Sequence, residues 1–423
     1  MAEYTEIPIG NVKPGMFIEF KLAWFRHPFY TNSFRVTSLL EVEKLITAGI
    51  RKVKYYPARS YVTFAETSTI TPAQVTPPPP QKQNDNSDLD KALQQKQQQL
   101  QALQKRIDGL EQEYKKVFNR IAHIEQLLQS DVPAGVTATH EFVSHTVDEM
   151  VQEMELFANM ITAQPTKERV ESTHRLNVCY LCLVLGSAMG LSRMQLYDLG
   201  AAAILHDIGK IKIPREIMLK HPPYTLAEKQ FLELHPLHGV KILSAVKSIN
   251  KTVLDTIYQH HERIDGTGYP RKLTALNIAL MARIIAVADT YDNICNRYYL
   301  KRLLTPHESL SYMYTRLRDG LSIDIIETFV KTIGVYPPGC FVELSDGNIG
   351  LVIATNKNKT TRPTIMVYNE DVPKEKPIII NMSEEEGLAI VRGIIPAEVP
   401  AKIIAYLQQG DNSGLFLTSL AGK

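Results

Sequence analysis

The chain has 423 residues, 44% of them hydrophobic; at about 150 residues per domain this is enough for roughly three folded units, each with a core. Lys and Arg number 47 against 45 Asp and Glu, a net charge of +2, so no overall field favours a DNA or RNA polymer or an anionic membrane, and any anionic ligand must be held locally. The first residues lack a basic run followed by an apolar stretch, and nowhere are 18 consecutive residues apolar, which argues against secretion and a membrane span and points to a cytoplasmic protein.

In chain order, residues 1–64 read as a small α+β module: alternation in Met16-Phe17-Ile18-Glu19-Phe20, a helical apolar pattern from Leu39 to Ile46, Gly49 as its C-cap, then a strand at Val53-Lys54-Tyr55-Tyr56. It is expected to serve as an input or docking domain that meets a protein partner. Residues 65–87 are Thr, Ser, Pro, Gln and Asn with four consecutive prolines, Pro77 to Pro80, a composition for an extended linker. Residues 88–130 carry a heptad seam: Leu93, Leu100, Ile107, Tyr114, Ile121 and Leu128 in one series, and Leu89, Lys96, Leu103, Leu110, Val117 and Ile124 in the other. Only Lys96 is polar, so this segment reads as a two-stranded coiled coil that would make a homodimer, at about 1.5 Å per residue roughly 60 Å long; the alternative is one long helix laying the seam on its own domain. Residues 131–335 are almost wholly helical in pattern, and residues 336–423 turn to short strands, Phe341 to Leu344, Ile349 to Ile353, Thr364 to Tyr368 and Ile378 to Ile380, finished by a helix near Ala401. The fold class is therefore mainly α, between a small α+β domain with a coiled-coil helix and a small β-rich extension.

Histidine is clustered. Of 12, seven fall from His174 to His261, where uniform spread predicts about 2.5. In the helical domain His174, His206-Asp207, His235, His260-His261 and Asp289 lie on segments otherwise rich in Leu, Ile, Val and Ala. Burying any one of them costs several kcal/mol unless it is paired or binds a metal. Imidazoles and carboxylates without thiolates suit iron, manganese or zinc, and a carboxylate can bridge two cations. The adjacent pairs suggest two cations, which together activate water and neutralise a phosphodiester during in-line attack. His123, His221, His238 and His307 are read as ordinary packed histidines, and Cys179-x-x-Cys182, lacking a second pair, as core.

The run His206-Asp207-Ile208-Gly209-Lys210 and the eleven residues from His260 through His261-Glu262-Arg263-Ile264-Asp265-Gly266-Thr267-Gly268-Tyr269 to Pro270 resemble the two signatures of the HD-GYP branch of the HD phosphohydrolases. The likeness extends over about Pro165 to Gly334. The segment from Gly15 to Tyr55 resembles a small domain often found ahead of this enzyme domain, and Tyr336 to Leu344 its frequent C-terminal extension. The resemblance implies hydrolysis of cyclic di-GMP to linear pGpG, and further to GMP, at an iron or manganese centre. It carries the ligand role to His174, His206, Asp207, His235, His260, His261 and Asp289, with Asp207 as the bridge. Lys210 would stabilise charge on the phosphoryl oxygens. Gly266, Gly268, Tyr269 and Pro270 would form a loop beside the site, Tyr269 stacking or hydrogen-bonding on the substrate. Glu262 and Arg263 read as a local salt bridge that positions this loop, and Asp265 as its brace.

Two departures matter. Trinuclear members have a glutamate four residues before the first histidine, where this chain has Val170; Glu171 is one residue late, about 100° round a helix, so two divalent ions are expected. The Arg-Pro-Tyr-Arg run of many members reads here Asn296-Arg297-Tyr298-Tyr299-Leu300-Lys301-Arg302, where Arg297, Lys301 and Arg302 stand in for the phosphate-holding residues. That change leaves open a phosphodiesterase for cyclic GMP-AMP and a catalytically weak cyclic-dinucleotide receptor that signals through the coiled coil. A general HD nucleotidase is disfavoured by the Gly266 to Pro270 loop.

Overall fold

A computed structural model describes residues 4–20, 33–36, 38–47, 49–62, 116–150, 170–218, 220, 223–296, 304–356, 358–374, 377–385 and 387–407. The N-terminal module is a four-stranded sheet with one helix. Strands β1 (Thr5–Pro8), β2 (Phe17–Glu19), β3 (Ser33–Arg35) and β4 (Lys52–Tyr55) lie in the order β1-β4-β2-β3, all antiparallel, with Ile7 opposite Val53 and Ile18 opposite Tyr55. Helix α1 (Leu39–Thr47) turns Val42 and Leu45, three residues apart, onto the sheet. It ends at Gly49, whose φ of +85° lets the Gly49 and Ile50 N–H groups cap the carbonyls of Ile46 and Leu45.

The helical domain begins earlier than its composition suggests. A helix over 116–130, here α2, runs into α3 (Val132–Met150) across Asp131, whose carboxylate accepts from Ala134 N at 3.1 Å. In α2 the last residues of the heptad seam, Ile121, Ile124 and Leu128, are buried with Phe118 in the same core as Val136, Phe142 and Leu176, and Val117 packs at its edge. This corrects the reading of 88–130 as one intermolecular seam: its last two heptads are spent inside the domain, because a helix that can bury its apolar stripe against its own chain needs no partner there. Residues 88–115 lie outside the described residues.

At the centre is α4 (Val170–Ala188), where Leu176 to Leu185 are buried without a solvent face, as a helix apolar all round must be. Around it pack α5 (Arg193–Leu205), α10 (Leu280–Asn296) and α12 (Ile323–Ile333). A capping box of Ser192 and Gln195 starts α5, and its buried Ala201-Ala202-Ala203 run allows close approach. Cys179 and Cys182 are core thiols here, as read. Between α5 and α10 come the short α6 (Arg215–Met218), α7 (Leu226–Glu233), α8 (His235–Leu243) and α9 (Lys251–Gln259); α11 (Pro306–Arg316) follows α10.

The C-terminal part has strands β5 (Phe341–Leu344), β6 (Ile349–Ala354), β7 (Thr364–Val367), β8 (Ile378–Asn381) and β9 (Ile390–Ile394), then α13 (Ala401–Leu407); β7, β6, β5 and β9 pair antiparallel in that order. Among the described residues no helix is long and apolar enough to cross a membrane.

Deleting residues 88–115 should leave the melting of the helical domain unchanged, whereas deleting 88–130 removes three fully buried aliphatic side chains, each contributing about 1.5–3 kcal/mol, and should lower the melting temperature by about 10 °C or more. Equal melting of the two truncations, followed by circular dichroism, would contradict the intramolecular packing of α2.

Candidate metal centre

Helix ends build most of the site. His206 is the C-cap of α5 and His260 the C-cap of α9, and His235, the first residue of α8, follows Leu234, the C-cap of α7. The last carbonyls of a helix have no intrahelical partner, and each ring uses one: His206 Nδ1 meets Ala203 O at 2.7 Å, His235 Nδ1 meets Leu232 O at 2.7 Å, and His260 Nδ1 meets Ile257 O at 2.6 Å. A carbonyl can only accept, so each Nδ1 carries the hydrogen and each Nε2 presents a lone pair, a tautomer assigned from the bonding network. His174 comes instead from the second turn of α4, and Asp289 from the middle of α10.

The lone pairs converge. Asp207, His235, His260 and His261 offer donor atoms within 4.8 Å of one another, and so do His174, His206 and Asp207. Asp207 belongs to both groups: its Oδ1 is 3.3 Å from His235 Nε2, and its Oδ2 is 3.3 Å from His206 Nε2 and 3.7 Å from His174 Nε2. Asp289 places Oδ1 3.3 Å from His174 Nε2 and Oδ2 3.9 Å from His261 Nδ1. Two acceptor nitrogens, His235 Nε2 and His260 Nε2, face each other at 3.2 Å, an arrangement that repels unless a cation lies against both. His174 Nε2, His206 Nε2 and Asp207 Oδ1 are buried with no hydrogen-bond partner, at about 1–3 kcal/mol each. A divalent cation satisfies all of these atoms at once, and nitrogen and oxygen donors without thiolate match its chemistry.

The electrostatics agree. Burial alone would raise Asp207, but His206, Lys210 and His235 hold it well below the usual carboxylate range; burial likewise opposes the ionisation of Asp289, and His174 and His261 hold it low. Burial pushes His235 down to about 4 and His260 down to about 3, and His261 well below its ordinary value, so these rings are neutral at pH 7. Burial also works against charge on His174, yet the carboxylates of Asp289 and Asp292 push it up to about 9.

Comparison with known proteins adds a family to this geometry. The HD domain family matches residues 125–321, a domain of unknown function (DUF3391) matches residues 4–133, and a KOW domain associated with HD domain matches residues 341–402. Residues 125–321 are an HD domain, and it contains the two runs, His206 to Lys210 and His260 to Pro270, that resemble the HD-GYP signatures. Among relatives, it is 26% identical over 376 residues to a cyclic di-GMP phosphodiesterase of Pseudomonas aeruginosa, covering 86% of this chain and 84% of the relative. It is 32% identical over 192 residues to a cyclic di-GMP phosphodiesterase of Thermotoga maritima, 45% of this chain and 51% of the relative. It is 29% identical over 185 residues to a 3'3'-cGAMP-specific phosphodiesterase of Vibrio cholerae, 44% of this chain and 34% of the relative. The match thus spans most of the Pseudomonas relative and about half or less of the other two. An HD domain depends on divalent metal.

In this HD domain the residues of the two runs divide into those that face the centre and those that hold it. Lys210, in the 3-10 turn Ile208–Lys212, donates from Nζ to Asp207 Oδ2. Gly209 has a steric role: a Cβ there would fall 1.9 Å from the His235 carbonyl oxygen and 2.5 Å from Gly239 N, so the turn after Asp207 can press on α8 only without a side chain. Gly268 is equally constrained, its added Cβ falling 2.3 Å from Arg263 N. Tyr269 packs on His261 with ring centroids 4.7 Å apart, and Asp265 braces the loop by accepting from Thr267 N and Oγ1 at 2.9 and 2.7 Å. The expected Glu262 to Arg263 salt bridge is replaced: buried Glu262 accepts from the backbone N–H groups of Arg271 at 2.6 Å and Leu273 at 2.8 Å, while Arg263 donates to Thr290 Oγ1 at 3.2 Å. The two backbone donors, one on each oxygen, satisfy the buried carboxylate across the loop.

Glu171, which helical spacing turned away from the centre, senses it: the Lys210 ammonium holds its carboxyl below the usual range against the opposing effects of burial and Asp207, with His174 adding to the lowering. The composition-based reading also missed Asn177, Asp292 and Asn293, whose only sequence signal is three- and four-residue spacing from His174 and Asp289. Arg297, Lys301 and Arg302 lie outside the described residues.

Gly209→Ala should lose metal binding and lower the melting temperature together, since the turn must move off α8; metal content equal to wild type would refute the contact. In metal-free protein the depressed His235 and His260 make the unfolded chain the better proton binder below their ordinary value of 6.5, so stability falls as the pH drops from there toward 4. His174 acts in reverse, its contribution complete below 6.5 and lost as the pH rises through about 9. Melts of chelator-treated protein should therefore peak between these limbs, and stability that is flat from 6.5 down to about 4 would contradict the neutral buried rings.

Proposed function

We propose that this chain hydrolyses cyclic di-GMP to linear pGpG, with GMP as a further product, at a centre of two divalent ions, iron or manganese. The observation that carries this reading is Asp207, whose two oxygens serve two separate converging donor groups. In this reading His174, His206, Asp207 and Asp289 hold one ion, and Asp207, His235, His260 and His261 the other. The chemistry such a pair supplies is activation of water at neutral pH and neutralisation of a phosphodiester under in-line attack.

The chain's own groups do the rest. Asp207, held anionic, keeps one charge between the two donor groups. Lys210 lies at the edge of the centre, where its ammonium reaches a phosphoryl oxygen and stabilises charge that grows there. Gly268 lets the backbone come close, and the Tyr269 ring, fixed against His261, offers a guanine base a stacking face. Burial raises the Tyr269 hydroxyl above its ordinary value, so it remains a neutral donor. Arg297 and Lys301 are assigned to the substrate phosphates on their sequence position. The site works in the cytoplasm, in a homodimer formed through the seam ahead of α2, with residues 1–64 meeting a protein partner.

A second reading, cyclic GMP-AMP as substrate, is favoured by the altered run at Arg297 to Arg302 and by the likeness to the Vibrio cholerae enzyme.

The test is chromatography of cyclic di-GMP and 3'3'-cyclic GMP-AMP incubated with protein purified without oxygen and loaded with ferrous iron or manganese. Conversion of cyclic di-GMP to pGpG is expected, and Asp207→Ala should lose both metal and turnover while circular dichroism stays helical. Faster conversion of cyclic GMP-AMP supports the second reading. No conversion of either with two ions bound overturns both in favour of a receptor.

A further inference from the structure

Of the four rings whose outer nitrogen is fixed, three are held by neutral backbone carbonyls at helix ends. His174 cannot be. It sits inside α4, where the carbonyls of the preceding turn are taken by the helix itself. Its Nδ1 bonds instead to the carboxylate of Asp292, Oδ2 at 2.7 Å. Asp292 is 3% exposed, and its second oxygen accepts from Asn177 Nδ2 at 2.8 Å.

The two helices interlock residue by residue. His174 and Asn177 are three apart on α4, hence on one face, and Asp289 and Asp292 are three apart on α10, likewise on one face. Asp289 therefore meets the inner nitrogen of His174 while Asp292 meets the outer one, so a single ring is clamped between two carboxylates of one helix. Asn293 completes the arrangement by donating from Nδ2 to Asp289 Oδ1 at 2.8 Å. A charged acceptor on the outer nitrogen forms a stronger hydrogen bond than a carbonyl, fixes the ring and makes the inner nitrogen a better donor. None of the three carbonyl-held rings has this.

We propose that Asp292 is a positioning residue that sets the affinity of the ion held by His174 and so makes the two ions of the centre unequal. The assignment rests on the two-ion reading above. Asp292 touches no reacting atom; it acts through His174. Its loss weakens one ion while the ion among His235, His260 and His261 stays as it was.

The test is calorimetric titration of chelator-treated full-length protein with Mn²⁺, with bound metal counted after gel filtration, for wild type, Asp292→Asn and Asn177→Ala. Asp292→Asn keeps the shape and removes the charge. It should bind one equivalent as wild type does and the other about 10- to 100-fold more weakly. Asn177→Ala, which removes the amide donor from the far oxygen of Asp292, should shift the same equivalent in the same direction by less, and it decides the matter if Asp292→Asn does not fold. Wild-type affinity for both equivalents in the variants would overturn the assignment, and so would equal weakening of both, which marks a general structural loss. Wild-type stoichiometry reports separately on the two-ion reading, and neither measurement depends on the substrate.

Discussion

Seven nitrogen- and oxygen-bearing side chains point their donor atoms into one buried volume, and several of those atoms repel one another unless a cation lies among them. The rest of the helical domain can be understood as the means of holding that arrangement. Imidazole nitrogens 3.2 Å apart and orphaned buried donors on His174, His206 and Asp207 are conflicts that a packed core does not tolerate unaided. Metal binding and the fold are therefore linked, since deprotonated, converging ligands exist only in the native chain.

The way those side chains are aimed follows from elementary helix chemistry. A helix that ends leaves carbonyls without partners, and a histidine placed at that end fills one of them with its outer nitrogen. Three helices terminate this way at the centre, each turning its last residues inward. Close packing then fixes their spacing: the turn after Asp207 lies so tightly on α8 that Gly209 has no room for even a methyl group. The second signature serves in part as architecture, with Glu262 tying the loop back through two backbone N–H groups and Arg263 reaching across to α10.

The centre is not symmetric in its surroundings. One donor group is flanked by carboxylates from α10 and by Asn177 and Asn293, with one backbone carbonyl at His206, and the other by two backbone carbonyls and the Tyr269 ring. Glu171 adds a further negative charge on the side of Lys210. A site built from two unlike halves can hold its ions with unlike strength while presenting both to one phosphate.

The sequence alone determined the chemistry, because buried imidazoles and carboxylates on apolar helices are costly enough that their clustering is informative, and because the two signature runs are local. His206-Asp207 and the stretch from His260 to Pro270 could be read without a fold, as could the strands and turn glycines at either end, whose patterns depend on two to four neighbouring residues. Only the tertiary structure decided what depends on contacts between distant segments. Whether Ile121, Ile124 and Leu128 face another chain or their own could not be read from a heptad pattern, since the same apolar stripe serves both. Asp292 looks like any other aspartate until α4 and α10 are packed, and Glu171 looks misplaced until Lys210 stands beside it. Spacing along one helix tells which residues share a face, whereas the partner that face meets is set by packing, which is a property of the whole domain.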